Sequence, residues 1–114
     1  MKYFYVLIFI FTHCLYSQSI TAHRGASYDA PQNSIEAFNL AWEQGSDFIE
    51  ADFYLTADKK VVCFHDKTTG KLTDKNLIVE KSTWDDLQQL DIGYKKNQKF
   101  KGTRMPLLSD VLKT

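Results

Sequence analysis

Behind Met1-Lys2, residues Tyr3 to Phe11 form an almost unbroken run of Tyr, Phe, Val, Leu and Ile, which falters at Thr12-His13 and ends in Tyr16-Ser17-Gln18-Ser19. A span of the bilayer needs about 20 apolar residues, so a run this short behind a basic start reads as the core of a secretory signal peptide. Cleavage is expected after Ser17, with Ser19 as the second choice, which makes the protein secreted or periplasmic. Cys14 lacks the preceding small residues of a lipoprotein site, so no stable membrane anchor is expected. A buried N-terminal strand or a retained anchor is the competing reading.

After the leader, short apolar runs alternate with polar gaps. Ser19 to His23 predicts a strand that stops at Arg24-Gly25, with a loop through Pro31. Ile35, Phe38 and Trp42 then fall on one helical face, widened by Ala37, Leu40 and Ala41, and predict a helix over 34–44. Asn33 and Glu36 have the spacing of a capping box, and Gly45 is a C-terminal stop. Phe48 to Thr56 and Val61 to His65 predict two strands. Only Ala57 to Lys60 lies between them, too little for a parallel crossover, so they pair as an antiparallel hairpin. With Thr56 opposite Val61, Asp52 falls opposite His65.

The C-terminal half is less regular. Lys67 to Lys81 predicts a loop with a short strand at Leu77 to Val79. Ser82 or Thr83 can cap a short helix carrying Trp84, Leu87 and Leu90, Asp91 to Thr103 is polar and predicts surface, and Pro106 opens a last helical turn through Leu112. Strand, helix, strand, excursion, helix is an α/β order. It predicts the first two βα units of an α/β barrel, with an insertion after the second strand at about 57–104.

Charge narrows the partners. Fourteen Lys+Arg face fourteen Asp+Glu, and removing Lys2 with the leader tips the balance slightly negative, so nothing argues for a nucleic-acid partner. Cys63 is the one cysteine after cleavage, so no internal disulfide can form and stability must come from a core. Oligomeric state is not legible.

Candidate chemistry sits at the strand ends. Glu50 and Asp52, two apart on a strand, project from one face, where they repel unless a cation lies between them. An oxygen-only pair suits Ca²⁺ or Mg²⁺ better than zinc; an ordinary solvated strand face is the plainer alternative for such a pair. Arg24 offers a fork matched to phosphate oxygens, and Gly25 lets the chain turn sharply beside it. His23 and His65 can share acid and base duties, with Asp66 able to orient His65.

His23-Arg24-Gly25-Ala26, Pro31-Gln32-Asn33-Ser34, Gly45 to Asp52, Leu55 to Asp58, His65-Asp66, Thr68-Thr69-Gly70 and Met105 to Leu108 together resemble the glycerophosphodiester phosphodiesterase family, over residues 20–112. The resemblance implies a TIM barrel with a small insertion after strand 2. It also implies His23 and His65 as the acid–base pair, Arg24 on the substrate phosphate and Glu50 and Asp52 as ligands of a divalent cation, Ca²⁺ or Mg²⁺. The implied reaction is hydrolysis of glycerophosphodiesters, small-molecule substrates, to glycerol 3-phosphate and an alcohol.

Three positions depart from the family pattern. Gln32 stands where the family usually has Glu, Leu107 replaces a Thr that could cap the last helix, and no Arg precedes Thr68. The family's third carboxylate and a nearby Lys lie on the next strand, beyond Thr114. A whole barrel takes roughly 250 residues, so the chain is expected to be an N-terminal fragment without diesterase activity alone. The rival expectations are an inactive piece that binds metal or phosphate weakly, or a phospholipase D-like relative acting on intact lipid.

Overall fold

A computed structural model describes residues 18–114; the expected signal peptide lies outside the described residues. Strand β1 (Thr21–His23) leads through a loop into helix α1 (Ile35–Glu43) and back to β2 (Phe48–Glu50). β1 and β2 pair in parallel, with Thr21 opposite Phe48 and His23 opposite Glu50. This is a βαβ unit, and α1 is its crossover. Ser34 is the N-cap of α1, its Oγ accepting the Ala37 N–H at 3.1 Å. Asn33 does not take that part: it sits at φ +57° and turns its side chain elsewhere. Glu36 accepts a hydrogen bond from Thr103 Oγ1 at 2.8 Å, which ties α1 to the excursion.

The single strand expected over Phe48 to Thr56 is two strands with a bend. After Glu50 the chain leaves β1, and β3 (Phe53–Leu55) pairs antiparallel with β4 (Val61–Cys63). The hairpin is present, but its register is one residue off the expectation: Leu55 lies opposite Val61 and Phe53 opposite Cys63. Asp52 therefore meets Phe64, whose N–H donates to the Asp52 carbonyl at 3.0 Å, and not His65. The cause is the turn. Thr56 N–H donates to Lys60 O at 2.9 Å and Lys60 N–H to Thr56 Oγ1 at 2.9 Å, which leaves a three-residue loop with Lys59 at φ +65°. A three-residue loop closed by a left-handed residue is a favoured hairpin solution; counting all four residues as loop gave the wrong register.

Beyond the hairpin, Leu77 to Val79 is not a ladder strand. Ile78 makes one bridge to Thr68, and Val79–Lys81 is a 3₁₀ turn. Helix α2 (Trp84–Leu87) is capped by Thr83, whose Oγ1 accepts from Asp86 N–H. Leu90 falls outside it but remains buried. The segment from Asp91 to Thr103 is not simply surface, since Ile92 and Thr103 are buried. Asp91 organises it by accepting from the N–H groups of Gly93 at 2.9 Å, Tyr94 at 3.1 Å and Gly102 at 2.6 Å. The chain then returns along β4, where Cys63 N–H donates to Pro106 O at 2.8 Å, and ends in α3 (Leu108–Val111). Leu107 supplies no capping side chain; instead Asp110 Oδ2 accepts from Leu107 N–H at 3.4 Å.

Two cores result. Val62, Phe64, Val79, Leu87, Leu90, Ile92 and Met105 form one inside the excursion. Phe38, Cys63 and Val111 form the other between α1, α3 and the sheet, with Ile49 and Ala51 against it. At about 1.5–3 kcal/mol for each large apolar side chain fully buried, the excursion's core outweighs the barrel-side core. Side chains alternate along β4 and the extended residue after it, so Val62 and Phe64 serve the first core and Cys63 the second. Among the described residues no helix is long and apolar enough to cross a membrane.

Gly25 holds φ +75°, and a Cβ there would lie 2.6 Å from the Ala37 carbonyl carbon. Gly25→Ala should therefore destabilise the chain by at least about 1–3 kcal/mol, read as a lower urea midpoint. Burial pushes the Cys63 thiol up to about 12, with the charges of Asp52 and Glu50 adding to it. At pH 8 the native chain without its first 17 residues should leave a thiol reagent unconsumed, and one equivalent should react on unfolding. At Asp91, burial raises the carboxyl, but the three N–H donors outweigh it and hold the group below the ordinary carboxylate range. A depressed native value means that the anchoring is present at neutral pH and lost as the pH falls below about 3.9. Asp91→Asn should open this loop to trypsin at Lys95, Lys96 and Lys99, with faster cleavage on a gel.

Candidate active site

The end of β1 and the bend after β2 assemble four of the expected residues. Because His23 is opposite Glu50 in the parallel register, the two side chains are neighbours, with Nε2 and Oε2 3.8 Å apart. One residue on, the Arg24 N–H donates to the Glu50 carbonyl at 2.8 Å and lies 3.2 Å from Glu50 Oε2. Arg24 is at φ +59°, an uncommon conformation for a residue with a side chain. That twist, followed by Gly25, turns the guanidinium back across the strand ends. Its Nε sits 3.2 Å from Asp52 Oδ2, an ion pair without hydrogen-bond geometry, and its Nη1 donates to Gln32 Oε1 at 2.8 Å. Both carboxylates thus converge on Arg24, one through its backbone and one through its side chain.

Asn33 fixes Asp52. Its Nδ2 donates to Asp52 Oδ2 at 3.0 Å, its Oδ1 accepts from Asp52 N–H at 3.2 Å, and the Cys63 thiol reaches the same Oδ1 at 3.4 Å. Its own N–H donates to the Arg24 carbonyl at 3.1 Å. Asn33 is buried, so these bonds satisfy amide groups that would otherwise cost about 1–3 kcal/mol each. Asparagine is among the few residues that enter the left-handed region readily. The Asn-Ser doublet therefore divides two tasks: Asn33 turns and clasps, and Ser34 caps. Asn33 and Gln32 join the site in parts that the sequence reading did not give them: it read Asn33 as a cap and Gln32 as a departure from the family pattern. For Asn33 the available signal was an Asn beside a second cap-competent residue.

His65 is not part of this cluster by hydrogen bond or ion pair. It stands two residues past β4, with its Nδ1 2.7 Å from Asp66 Oδ1. If Nδ1 carries the proton in that bond, Nε2 keeps a free lone pair. Asp66 Oδ2 is buried without a hydrogen-bond partner, and Lys71 Nζ is 3.9 Å away. Tyr54 Oη donates to the His65 carbonyl at 3.2 Å, fixing the backbone beneath the ring.

A divalent cation fits the donor chemistry of Glu50 and Asp52. Each carboxylate has one oxygen engaged with Arg24 or Asn33 and a second that makes no hydrogen bond among the described residues. Both are partly exposed, at 44% and 28% of their side-chain surface. Among the described residues, however, no group of three His, Cys, Asp or Glu is placed to hold a metal. The described residues thus offer a pair of hard oxygen ligands and not a complete coordination set.

The family model for the glycerophosphoryl diester phosphodiesterase family matches residues 23–114. A glycerophosphodiester phosphodiesterase from Caldanaerobacter subterraneus subsp. tengcongensis is 41% identical over 92 residues, covering 81% of this chain and 38% of that protein. The crystal structure of glycerophosphodiester phosphodiesterase from Agrobacterium tumefaciens str. C58 superposes with a TM-score of 0.80 at 35% identity, over 83% of this chain and 41% of that one. An Oleispira antarctica phosphodiesterase, in complex with the product sn-glycerol-3-phosphate, gives 0.81 at 33% identity over 84% and 39%. The chain therefore spans about two fifths of the length of these relatives, and its α/β fold is that of the opening units of their TIM barrel. The chain belongs to the glycerophosphoryl diester phosphodiesterase family.

Proposed function

We propose that this chain carries the phosphate-binding and proton-transfer part of a phosphoric diester hydrolase that converts glycerophosphodiesters to glycerol 3-phosphate and an alcohol. The observation that carries this reading is the convergence of Glu50 and Asp52 on Arg24, with His23 beside Glu50. The product in the Oleispira antarctica complex supports the substrate class. We also take residues 1–17 as a secretory leader and about 57–104 as an insertion in the barrel, which puts the activity outside the cytoplasm.

In this reading Arg24 binds a phosphate oxygen through its fork, held in place by Gln32 and Asp52. Hydrolysis adds water across the P–O bond to the alcohol: the water oxygen joins phosphorus, and a proton goes to the departing oxygen. One imidazole takes the proton from water and the other supplies the one to the leaving group. His65 is suited to accept, since Asp66 engages Nδ1 and Nε2 faces away. His23, exposed beside Glu50, is suited to hold the proton it donates. Glu50 and Asp52 would hold Ca²⁺ or Mg²⁺, which when bound polarises a phosphoryl oxygen and makes an oxygen nucleophile more acidic. Asn33 keeps Asp52 turned toward that position.

The test joins this chain to a longer relative. Residues 20–112, substituted for the matching segment of the Caldanaerobacter subterraneus protein, should give an enzyme that releases glycerol 3-phosphate from glycerophosphocholine and loses activity to EDTA. His23→Ala and His65→Ala should each lower its kcat/KM by about 10²–10⁴-fold. A folded chimera without turnover, or one indifferent to both substitutions, would show that these residues do not carry the chemistry.

A further inference from the structure

A cleft of about 400 Å³ lies between the β1–α1 loop and the excursion, lined in part by Ser27, Gln32, Lys71, Lys95 and Lys96. Its lining residues contact both halves of the candidate site. On one wall Gln32 accepts from Arg24 Nη1, and Ser27 Oγ donates to the His23 carbonyl at 2.9 Å. On the other, Lys71 Nζ is 3.9 Å from Asp66, which engages His65.

The charge in this cleft is one-sided. Lys96 Nζ donates to Ser27 O at 3.0 Å, and Lys95 Nζ donates to Thr73 O at 2.7 Å and Gly70 O at 3.1 Å. Carbonyl partners position an ammonium without cancelling its charge. Among the described residues no carboxylate pairs with Lys95 or Lys96; Lys71 has Asp66, at a distance too long for a hydrogen bond. The loop that carries Lys95 and Lys96 is itself anchored by Asp91. Gln32 adds a neutral amide, whose oxygen accepts from Arg24 behind the cleft wall. The result is a preorganised, positively charged cleft of a size that suits a small ligand.

We propose that this cleft takes the alcohol side of the phosphodiester and selects leaving groups that carry a further anion, a second phosphate or a carboxylate. This rests on the diesterase reading, because that reading puts the scissile phosphate at Arg24. From there Lys71, Lys95 and Lys96 face the substituent on the far side of the phosphorus, and a cationic headgroup meets repulsion there. Selectivity among headgroups then belongs to the excursion, while the phosphate chemistry belongs to the strand ends.

The test reads binding, not turnover. The chain is titrated by calorimetry with glycerophosphocholine, glycerophosphoglycerol, glycerophosphoinositol 4-phosphate and inorganic phosphate. The inositol phosphate diester should bind about tenfold more tightly than the choline diester, the ratio expected from one or two partly screened charge pairs. Lys71→Gln with Lys96→Gln should abolish the difference with the melting temperature unchanged, and Lys96→Arg should retain it. Equal affinity for the three diesters, no binding of any of them, or a preference that survives the double substitution would overturn the proposal. Inorganic phosphate binding as tightly as the anionic diester would also overturn it, since the cleft would then be a phosphate site and not a headgroup site. A headgroup preference alongside a chimera that lacks turnover would remove the diesterase reading and leave the cleft's selectivity standing.

Discussion

Asp52 is held at three points: Asn33 on its carboxylate and its N–H, Arg24 beside the same carboxylate oxygen, and Phe64 on its carbonyl. These contacts fall where the backbone changes partner, from β1 on one side to β4 on the other. Such a bend strips peptide groups of their ladder partners, and a buried peptide group without a partner is costly. A buried asparagine in the left-handed conformation supplies the missing partners, and Arg24 balances the charge. The bend thus forms together with the carboxylate arrangement. The hairpin, the excursion it leads into and the position of α3 all follow from the direction the chain takes at this point.

The same contacts explain why Arg24 and Gly25 both sit at positive φ. The β1–α1 loop must carry the guanidinium back over the strand ends while its backbone presses against Ala37. Glycine meets the steric demand of the second position. The first is occupied by an arginine whose contacts with Gln32 and Asp52 offset its conformational cost. Strain of this kind concentrates where a side chain must be aimed and surrounding contacts over-determine the backbone.

Much of this was legible in the sequence, and the failures have physical causes. Helix α1 follows from the 3.6-residue spacing of Ile35, Phe38 and Trp42, and the hairpin follows from the short link between Thr56 and Val61. The register did not follow, because a positive φ at Lys59 and the Thr56 hydroxyl shortened the loop by one residue. The split of the long strand was hidden, since the poor strand formers Ala51 and Asp52 lie between apolar runs that each read as strand. Asn33 and Ser34 compete for one cap, and only the demand from Asp52 nineteen residues away decides between them. Local pattern placed His23, Arg24, Glu50 and Asp52 near strand ends. It could not show that Gln32 reaches Arg24, because that contact depends on how the loop folds back.

Strand β4 and the residue that follows it face two ways, lending Val62 and Phe64 to the excursion's core and Cys63 to the cluster under α1 and α3. The two cores therefore share a wall three residues wide, and neither can melt without exposing the other. The excursion is not an independent foldon that could open and close over an intact site. Hydrogen exchange at Val62, Cys63 and Phe64 would report the cooperativity of the described fold as a whole. Sequence drift within the excursion has the same reach: a change of packing against Phe64 shifts the strand whose other face and neighbouring bend set the position of Asp52.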